Sequence, residues 1–310
     1  MRKLNIVVTG GAGFIGSHIV DAYLALGHRV WVLDDLSSGS RENLNGEAEL
    51  IEGDIRDGNI LDRLGSTRLD VLNHHAAQAD VRRSVSDPAF DADVNIVGSL
   101  RLIQRVMEAG AYRVIFSSSG GAIYGEPVTF PQTENHPLLP VSPYGCAKLA
   151  VEHYLDYYRL VHGLRSVSLR YANVYGPRQN SRGEAGVVAI FSERVLKGDP
   201  LIVNGSGEQT RDFVHVSDVV RANVAALELD LDGSFNVGTG IETTLNEVVE
   251  AFRNASGREI RVEHAEARKG EQLRSVLDGT ALRELARLPE PVPFTSGLSE
   301  TFRWFEERVS

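Results

Sequence analysis

Short apolar runs alternate with longer amphipathic stretches through the first half of the chain. The runs are Leu4–Val8, Val30–Leu33, Leu50–Ile51, Val71–Asn73, Val114–Phe116 and Val167–Leu169. Between them, helical spacing marks stretches such as His18–Leu26, Val94–Glu108 and Ala147–His162. Strands alternating with helices predict βαβ units and therefore a Rossmann-type α/β fold, a doubly wound parallel sheet. The regularity ends near Arg170. Beyond it Gly, Pro and Asn interrupt shorter segments: a polar loop at 176–184, helices at Val187–Lys197 and Val219–Leu229, and strands at Asp212–Val216 and Glu259–Glu263. Helices at Leu245–Ala255 and Leu298–Arg308 complete a smaller mixed α/β lobe. The expected division is 1–172 plus about 213–240 for the dinucleotide-type domain. The rest, about 173–212 plus 241–310, forms the second domain.

The chain has 310 residues, 42% hydrophobic and 24% charged, which suits a folded globular protein and excludes a disordered one. No apolar run approaches the ~20 residues of a membrane helix. The apolar stretch at the N-terminus is only Ile6–Val8, too short for a secretory signal, and reads as the first strand. A formal charge of −10 argues against sequence-independent nucleic-acid binding. The single cysteine, Cys146, rules out an internal disulfide and fits the cytoplasm. None of the nine histidines has metal-ligand spacing, and His74-His75 are adjacent, a poor metal pair.

Three local patterns carry chemistry. Gly10, Gly13 and Gly16 follow the first strand and open a helix, so the turn can approach a pyrophosphate at a helix N-terminus. Asp34 ends the next strand, eighteen residues beyond Gly16, where a carboxylate binds ribose hydroxyls and repels a 2′-phosphate. That favours NAD over NADP; the adjacent Asp35 is an alternative. Tyr144 and Lys148 stand four apart on one helix face, where an ammonium favours the phenolate and creates an acid–base group. Ser117-Ser118-Ser119 follow the strand Val114–Phe116, at the end of a parallel strand where ligands bind.

Together with Leu169–Arg178, Gln209–Val216 and Arg268-Lys269-Gly270-Glu271, these patterns resemble the extended short-chain dehydrogenase/reductases. Within them the chain is similar to the NAD-dependent epimerase/dehydratase family, and to its members that invert C4 of a UDP-hexose. The likeness runs over nearly the whole chain. It implies NAD held by Gly10, Gly13, Phe14, Ile15, Gly16, Asp34, Asp35, Ser38, Gly39, Asp54, Ile55, His75, Ala76, Ala77, Gln78, Asn95, Ser117, Tyr144, Lys148 and Tyr171. It implies Tyr144 as the acid–base group at the sugar O4, Lys148 as its tuner, and Ser119 as hydroxyl partner, with Ser118 as rival. The UDP-sugar would meet Ser119, Gly120, Gly121, Tyr144, Asn173, Arg178, Val187, Arg211, Arg268, Glu271 and Ser275. By the same likeness Ser275 gates the space at the sugar C2 group. Glu271 stands where aspartate is common, and Gly120-Gly121 add one residue to the serine loop. Dehydratases and decarboxylases of the fold carry a carboxylate just after the hydroxyl, where this chain has Gly120, Gly121 and Ala122. A non-catalytic dinucleotide sensor would be expected to lose the Tyr144/Lys148 pair. The likeness also implies a homodimer through a four-helix bundle of Val94–Glu108 and Ala147–His162, with Leu149, Val151, Tyr154, Leu155 and Tyr158 as apolar positions. No nucleic-acid or membrane partner is expected.

Overall fold

The computed structural model describes residues 2–181, 186–229, 231–267 and 272–309. They form two compact units, the first comprising 1–123, 140–170 and 220–235, the second 124–139, 171–219 and 236–310. Residues 124–139 and 213–219 thus group with the second unit.

The first unit is built on strands β1 (Asn5–Thr9), β2 (Arg29–Asp34), β3 (Glu49–Glu52), β4 (Val71–His74), β5 (Arg113–Ser119) and β6 (Arg165–Tyr171). With Gly233–Val237 at one edge they form a seven-stranded sheet, in which the first six run 6-5-4-1-2-3. This is the doubly wound order, whose ligand crevice opens where the order reverses beside β1. β1 pairs in parallel with β2 (Val8↔Val32) and with β4 (Val8↔Asn73). Ile6, Val7 and Val8 are fully buried, as expected of a sheet covered on both faces. Each such aliphatic side chain contributes about 1.5–3 kcal/mol. The covering helices include α1 (Phe14–Ala25), α2 (Val81–Ser86), α3 (Pro88–Ala92), α4 (Ser99–Glu108), a turn α5 (Gly120–Ile123) and α6 (Pro143–His162). Leu102, Ile103 and Val106 of α4 and Val151 and Leu155 of α6 share one core with Leu72, Val114 and Phe116.

Two expectations change here. The helix expected over Val94–Glu108 opens with a wide π-type turn, Asp93–Gly98. Gly98 at its end packs closely on Ile55, since a Cβ there would lie 3.1 Å from the Ile55 side chain. Such turns favour functional sites, and this one carries Asn95. On α6, Val151, Leu155 and Tyr158 are buried in the core of their own unit. The apolar residues of α6 that stand exposed are Tyr154, Tyr157, Leu160 and Val161.

The second unit adds β7 (Asn173–Tyr175), α7 (Val187–Lys197), β8 (Leu201–Asn204), β9 (Thr210–Arg211) and β10 (Phe213–His215). α8 (Val216–Glu228) and β11 (Gly233–Val237) belong mostly to the first unit, and the second continues with β12 (Thr243–Thr244), α9 (Leu245–Ser256), β13 (Val262–Ala265), β14 (Arg274–Ser275), α10 (Thr280–Ala286) and α11 (Phe294–Val309). Its small sheets are β10–β7, β12–β9–β14 and β13–β8. Phe191, Val195, Phe252, Leu298 and Phe302 close its core. Thr244 and Glu247 start α9 with reciprocal hydrogen bonds, the S/T-x-x-E capping box. The strand expected at Glu259–Glu263 lies at Val262–Ala265, because parallel pairing sets Val262 against the buried Leu201. No described helix is long and apolar enough to cross a membrane.

Candidate active site

At the end of β1 the chain turns through Gly10, whose φ of +66° suits glycine. A Cβ on Gly10 would lie 2.8 Å from the Ala76 nitrogen, and one on Gly16 would lie 2.2 Å from the Gly10 oxygen. Only hydrogen fits at either place, which brings α1 hard against the turn. Gly13 is the N-cap of α1, no side chain caps it, and no acid stands in the first turn. The free N–H groups of Phe14 and Ile15 and the positive helix end form an anion cradle. Gly39 packs closely on Ala12, with Ser38 exposed beside it.

Asp34 and Asp35 separate clearly. Asp34 is buried, and its oxygens accept N–H bonds from Ala12 (2.9 Å) and Leu36 (2.8 Å). Two backbone bonds leave a carboxylate further capacity for ribose hydroxyls. Burial raises its pKa, against those same bonds. Asp35 is exposed and is engaged by Ser37. Asp54 is gripped by Arg56, with Nη2 at 2.6 Å, which holds its carboxyl below the usual range. Ile55 beside it is part of the core.

A chain of hydrogen bonds with a fixed direction joins the turn to Asn95. Thr9 Oγ1 accepts from the His75 and Ala76 nitrogens (3.1 and 3.0 Å), so its proton goes to His74 Nδ1 at 2.7 Å. His74 Nε2–H then donates to Ser99 Oγ (2.9 Å), and Ser99 donates to the Asn95 carbonyl (2.6 Å). Asn95 exchanges bonds with the Gln78 backbone at 2.8 and 2.9 Å, and both side-chain amides donate to Asp91 Oδ1 at 2.9 Å. This lattice fixes the Ala76–Gln78 segment. Burial, with Lys148 nearby, pushes the His74 and His75 imidazoles down to about 3.

The unfolded chain would bind protons on His74 below about pH 6.5, and the folded chain would not. Stability on account of His74 is therefore complete above 6.5 and is lost as pH falls toward 3. At pH 5 the loss is about 2 kcal/mol, from about 1.4 kcal/mol per pH unit. Urea unfolding at pH 7.5 and 5.0 checks this: the stability gap between wild type and His74→Asn is expected to shrink by about that amount. An unchanged gap would count against it.

Tyr144 sits near the start of α6. Ser142 caps that helix by accepting from the Gly145 nitrogen at 3.1 Å, and Pro143 occupies its first position. A Cβ on Gly145 would lie 2.3 Å from the Ala122 oxygen, so glycine seats α6 against the turn that follows β5. The Ser119 side chain favours ionisation of the Tyr144 phenol. Ser118, the rival, is buried, and its hydroxyl has no hydrogen-bond partner. Gly120 and Gly121 begin α5. Lys148 is buried, donates to the Ser117 carbonyl at 2.7 Å, and lies 5.7 Å from the Tyr144 ring centroid. Burial brings the Lys148 ammonium down to about 8, opposed by Asp91 and Glu152. The Tyr144 phenol is raised, by burial first and by Asp91 second, with Ser119 opposing. Lys148 stands where its ammonium would favour the phenolate, while burial of the ring acts in the opposite sense.

Three participants lay outside the sequence reading. Asp91 is fully buried four residues before Asn95, and only that spacing hinted at it. Glu152 extends the Tyr144, Lys148 stripe by one more helical step. It pairs with buried Arg170 through Nη2 at 2.6 Å.

The second unit holds Tyr171, Asn173, Arg178, Val187, Arg211 and Ser275. Tyr171 is buried, and Val187 begins α7. Arg178 has a φ of +67°. Ser275 is buried and pairs in register with Arg211 across β14 and β9. Arg268 and Glu271 lie outside the described residues. No group of three or more His, Cys, Asp or Glu among the described residues could hold a metal ion.

A doubly wound sheet with a glycine turn, a buried acid after β2 and a Tyr–Lys–Ser group defines a dinucleotide-dependent α/β enzyme. Residues 6–238 match the NAD dependent epimerase/dehydratase family. The chain belongs to that family, and NAD is its cofactor. It is 44% identical to a UDP-glucose 4-epimerase of Mycolicibacterium smegmatis, over 98% of this chain and 99% of that one. The crystal structure of UDP-glucose 4-epimerase with UDP-glucose from Thermotoga maritima superposes with a TM-score of 0.95. It is 46% identical and covers 99% of this chain and 100% of its own. The NAD complex of the Thermus thermophilus UDP-glucose 4-epimerase gives a TM-score of 0.92 at 44% identity, over 98% and 99%.

Proposed function

We propose that this enzyme inverts C4 of a UDP-hexose, interconverting UDP-glucose and UDP-galactose through a transient 4-keto sugar. Tyr144, with Ser119 favouring its ionised form and Lys148 beside its ring, carries this reading. Gly120, Gly121 and Ala122 follow the hydroxyls, so no carboxylate stands there to drive loss of water or CO2. The Gly10–Gly16 turn and the α1 N-terminus would hold the pyrophosphate of NAD, Asp34 its adenine-side ribose, and Lys148 its nicotinamide-side ribose. NAD when bound accepts and returns the C4 hydride and adds a second positive charge near Tyr144. Tyr144 takes the proton from the O4 hydroxyl and gives it back, while Ser119 holds the sugar oxygen. Lys148 counters the phenolate that forms. Asn173, Arg178 and Arg211 would bind the nucleotide diphosphate, with bidentate arginine contacts supplying local positive charge in an acidic protein. Arg268 and Glu271 belong to the same assignment by sequence.

Purified protein given UDP-galactose without added cofactor is expected to yield UDP-glucose at a near-equilibrium ratio, with no net NADH absorbance. A stable keto or decarboxylated product would overturn the proposal. By the family likeness Ser275 gates the sugar C2 space, and its small side chain is expected to admit UDP-N-acetyl sugars as substrates. Ser275→Tyr should cut their kcat/KM relative to UDP-glucose by about tenfold or more, from 1–3 kcal/mol of steric discrimination. An unchanged ratio would remove the gate. The exposed Tyr154, Tyr157, Leu160 and Val161 of α6 support a homodimer through this helix, checked by sedimentation at micromolar concentration. The lone cysteine supports a cytoplasmic location.

A further inference from the structure

Asp212 lies between Arg211 and the strand β10, and the proposed function gives it no task. It is fully buried. Its carboxylate accepts four neutral donors: Thr239 N at 3.0 Å to either oxygen, Thr239 Oγ1 at 2.6 Å, and Gly240 N and Leu277 N at 3.2 Å. Its backbone is equally committed. The Asp212 carbonyl accepts from the Asn173 nitrogen, and the Asp212 nitrogen donates to the Ser275 carbonyl, both at 2.9 Å. One residue thus joins two separate small sheets, β10–β7 and β12–β9–β14, at the point where each carries a residue assigned to the substrate.

Gly238 shows how closely the pieces fit. A Cβ there would lie 2.4 Å from Asp212 Oδ2 and 3.0 Å from Leu277 Cβ. The carboxylate fills the space where the turn after β11 meets the chain two residues beyond Ser275. A buried charge held by this many dipoles is stiff, because any shift strands an ion in a low dielectric.

We infer that Asp212 is a positioning residue for nucleotide-sugar binding, a clamp whose carboxylate holds Asn173, Arg211 and Ser275 in one fixed arrangement. The inference rests on the assignment of those three residues to the UDP-sugar. Asp212 touches no substrate atom in this account. It acts by fixing the backbones that present the three side chains.

The test compares NAD-loaded wild type, Asp212→Asn and Thr239→Val, well below their melting temperatures. Asparagine keeps the shape but turns an amide N–H₂ toward backbone N–H donors. Valine removes the 2.6 Å hydroxyl bond to Asp212 and the 3.1 Å bond that the same hydroxyl accepts from the Ile241 nitrogen, and leaves the other donors to the carboxylate in place. By calorimetry with UDP, Asp212→Asn is expected to bind at least about tenfold more weakly and Thr239→Val about threefold, since hydrogen bonds to a charged group are the strong ones. KM for UDP-galactose should rise in proportion, with kcat within about threefold and bound NAD unchanged. A purely structural residue would lower melting temperature without splitting UDP affinity from NAD content. Wild-type UDP affinity in Asp212→Asn, or equal loss of UDP and NAD, overturns the clamp while the substrate assignment stands. Should Asp212→Asn fail to fold, unchanged UDP affinity in Thr239→Val overturns it. Wild type that binds no UDP removes the substrate assignment, and the clamp with it.

Discussion

Tyr144→Phe is expected to lower kcat for UDP-galactose by about 10³-fold, within the range of general acid–base catalysis. Phenylalanine keeps the ring and its packing, so bound NAD should be unchanged and KM should move little. What is lost is the one hydroxyl whose ionisation Ser119 favours beside the Lys148 ammonium. The pH profile carries a second check. The buried phenol is raised, so the proton-accepting form gains with rising pH. Lys148, brought down to about 8, loses its charge over the same interval. Activity should therefore climb from neutral pH and level off above about 8, where the gain in phenolate is offset by the loss of the ammonium, and Lys148→Met should abolish the levelling together with most of the rate. Residual kcat within tenfold of wild type in Tyr144→Phe would move the proton chemistry to another residue.

Glu152→Ala should cost about 3–5 kcal/mol of stability, read as a fall in the urea midpoint, because it strips the buried Arg170 charge of its carboxylate. Arg170 reaches Glu152 through Nε at 3.1 and 3.2 Å and Nη2 at 2.6 Å, and both side chains are about 5% exposed. The double variant Glu152→Leu/Arg170→Leu should recover most of the loss, since apolar packing commonly equals a buried pair. Glu152 also helps Lys148 stay charged. The double variant, even if well folded, should therefore show its activity levelling off at lower pH than wild type.

The fold was legible where burial imposes a period. Runs such as Val30–Leu33 could only be strands covered on both faces, and the glycine turn fixed the sense of the first βαβ unit. Tyr144 and Lys148 were legible because a helix converts spacing into adjacency. Other features were not. The choice between Ser118 and Ser119 depends on which hydroxyl the end of β5 turns toward Tyr144, and a run of identical residues carries no such signal. The π-type turn over Asp93–Gly98 has no mark in the local apolar spacing, and the Ile55 side chain on which Gly98 packs is more than thirty residues away in sequence. The sign of the Tyr144 shift depends on burial and on Asp91, which spacing alone cannot weigh against an ammonium. Asp212 was visible only as part of a matching segment, since its partners Thr239 and Leu277 are remote in sequence.

The one-way hydrogen bonds from Thr9 to Asn95 make His74 a strut and not a proton wire. Every donor in the series already points in one direction, and the imidazole stays neutral down to about pH 3. Passing a proton along it would require each hydroxyl to rotate and the ring to change tautomer inside a packed core. The proton that Tyr144 removes therefore has no exit by this path. The Nε2–H of His74 should exchange slowly with heavy water, as a resolved downfield imidazole resonance that reports on the first unit's native state.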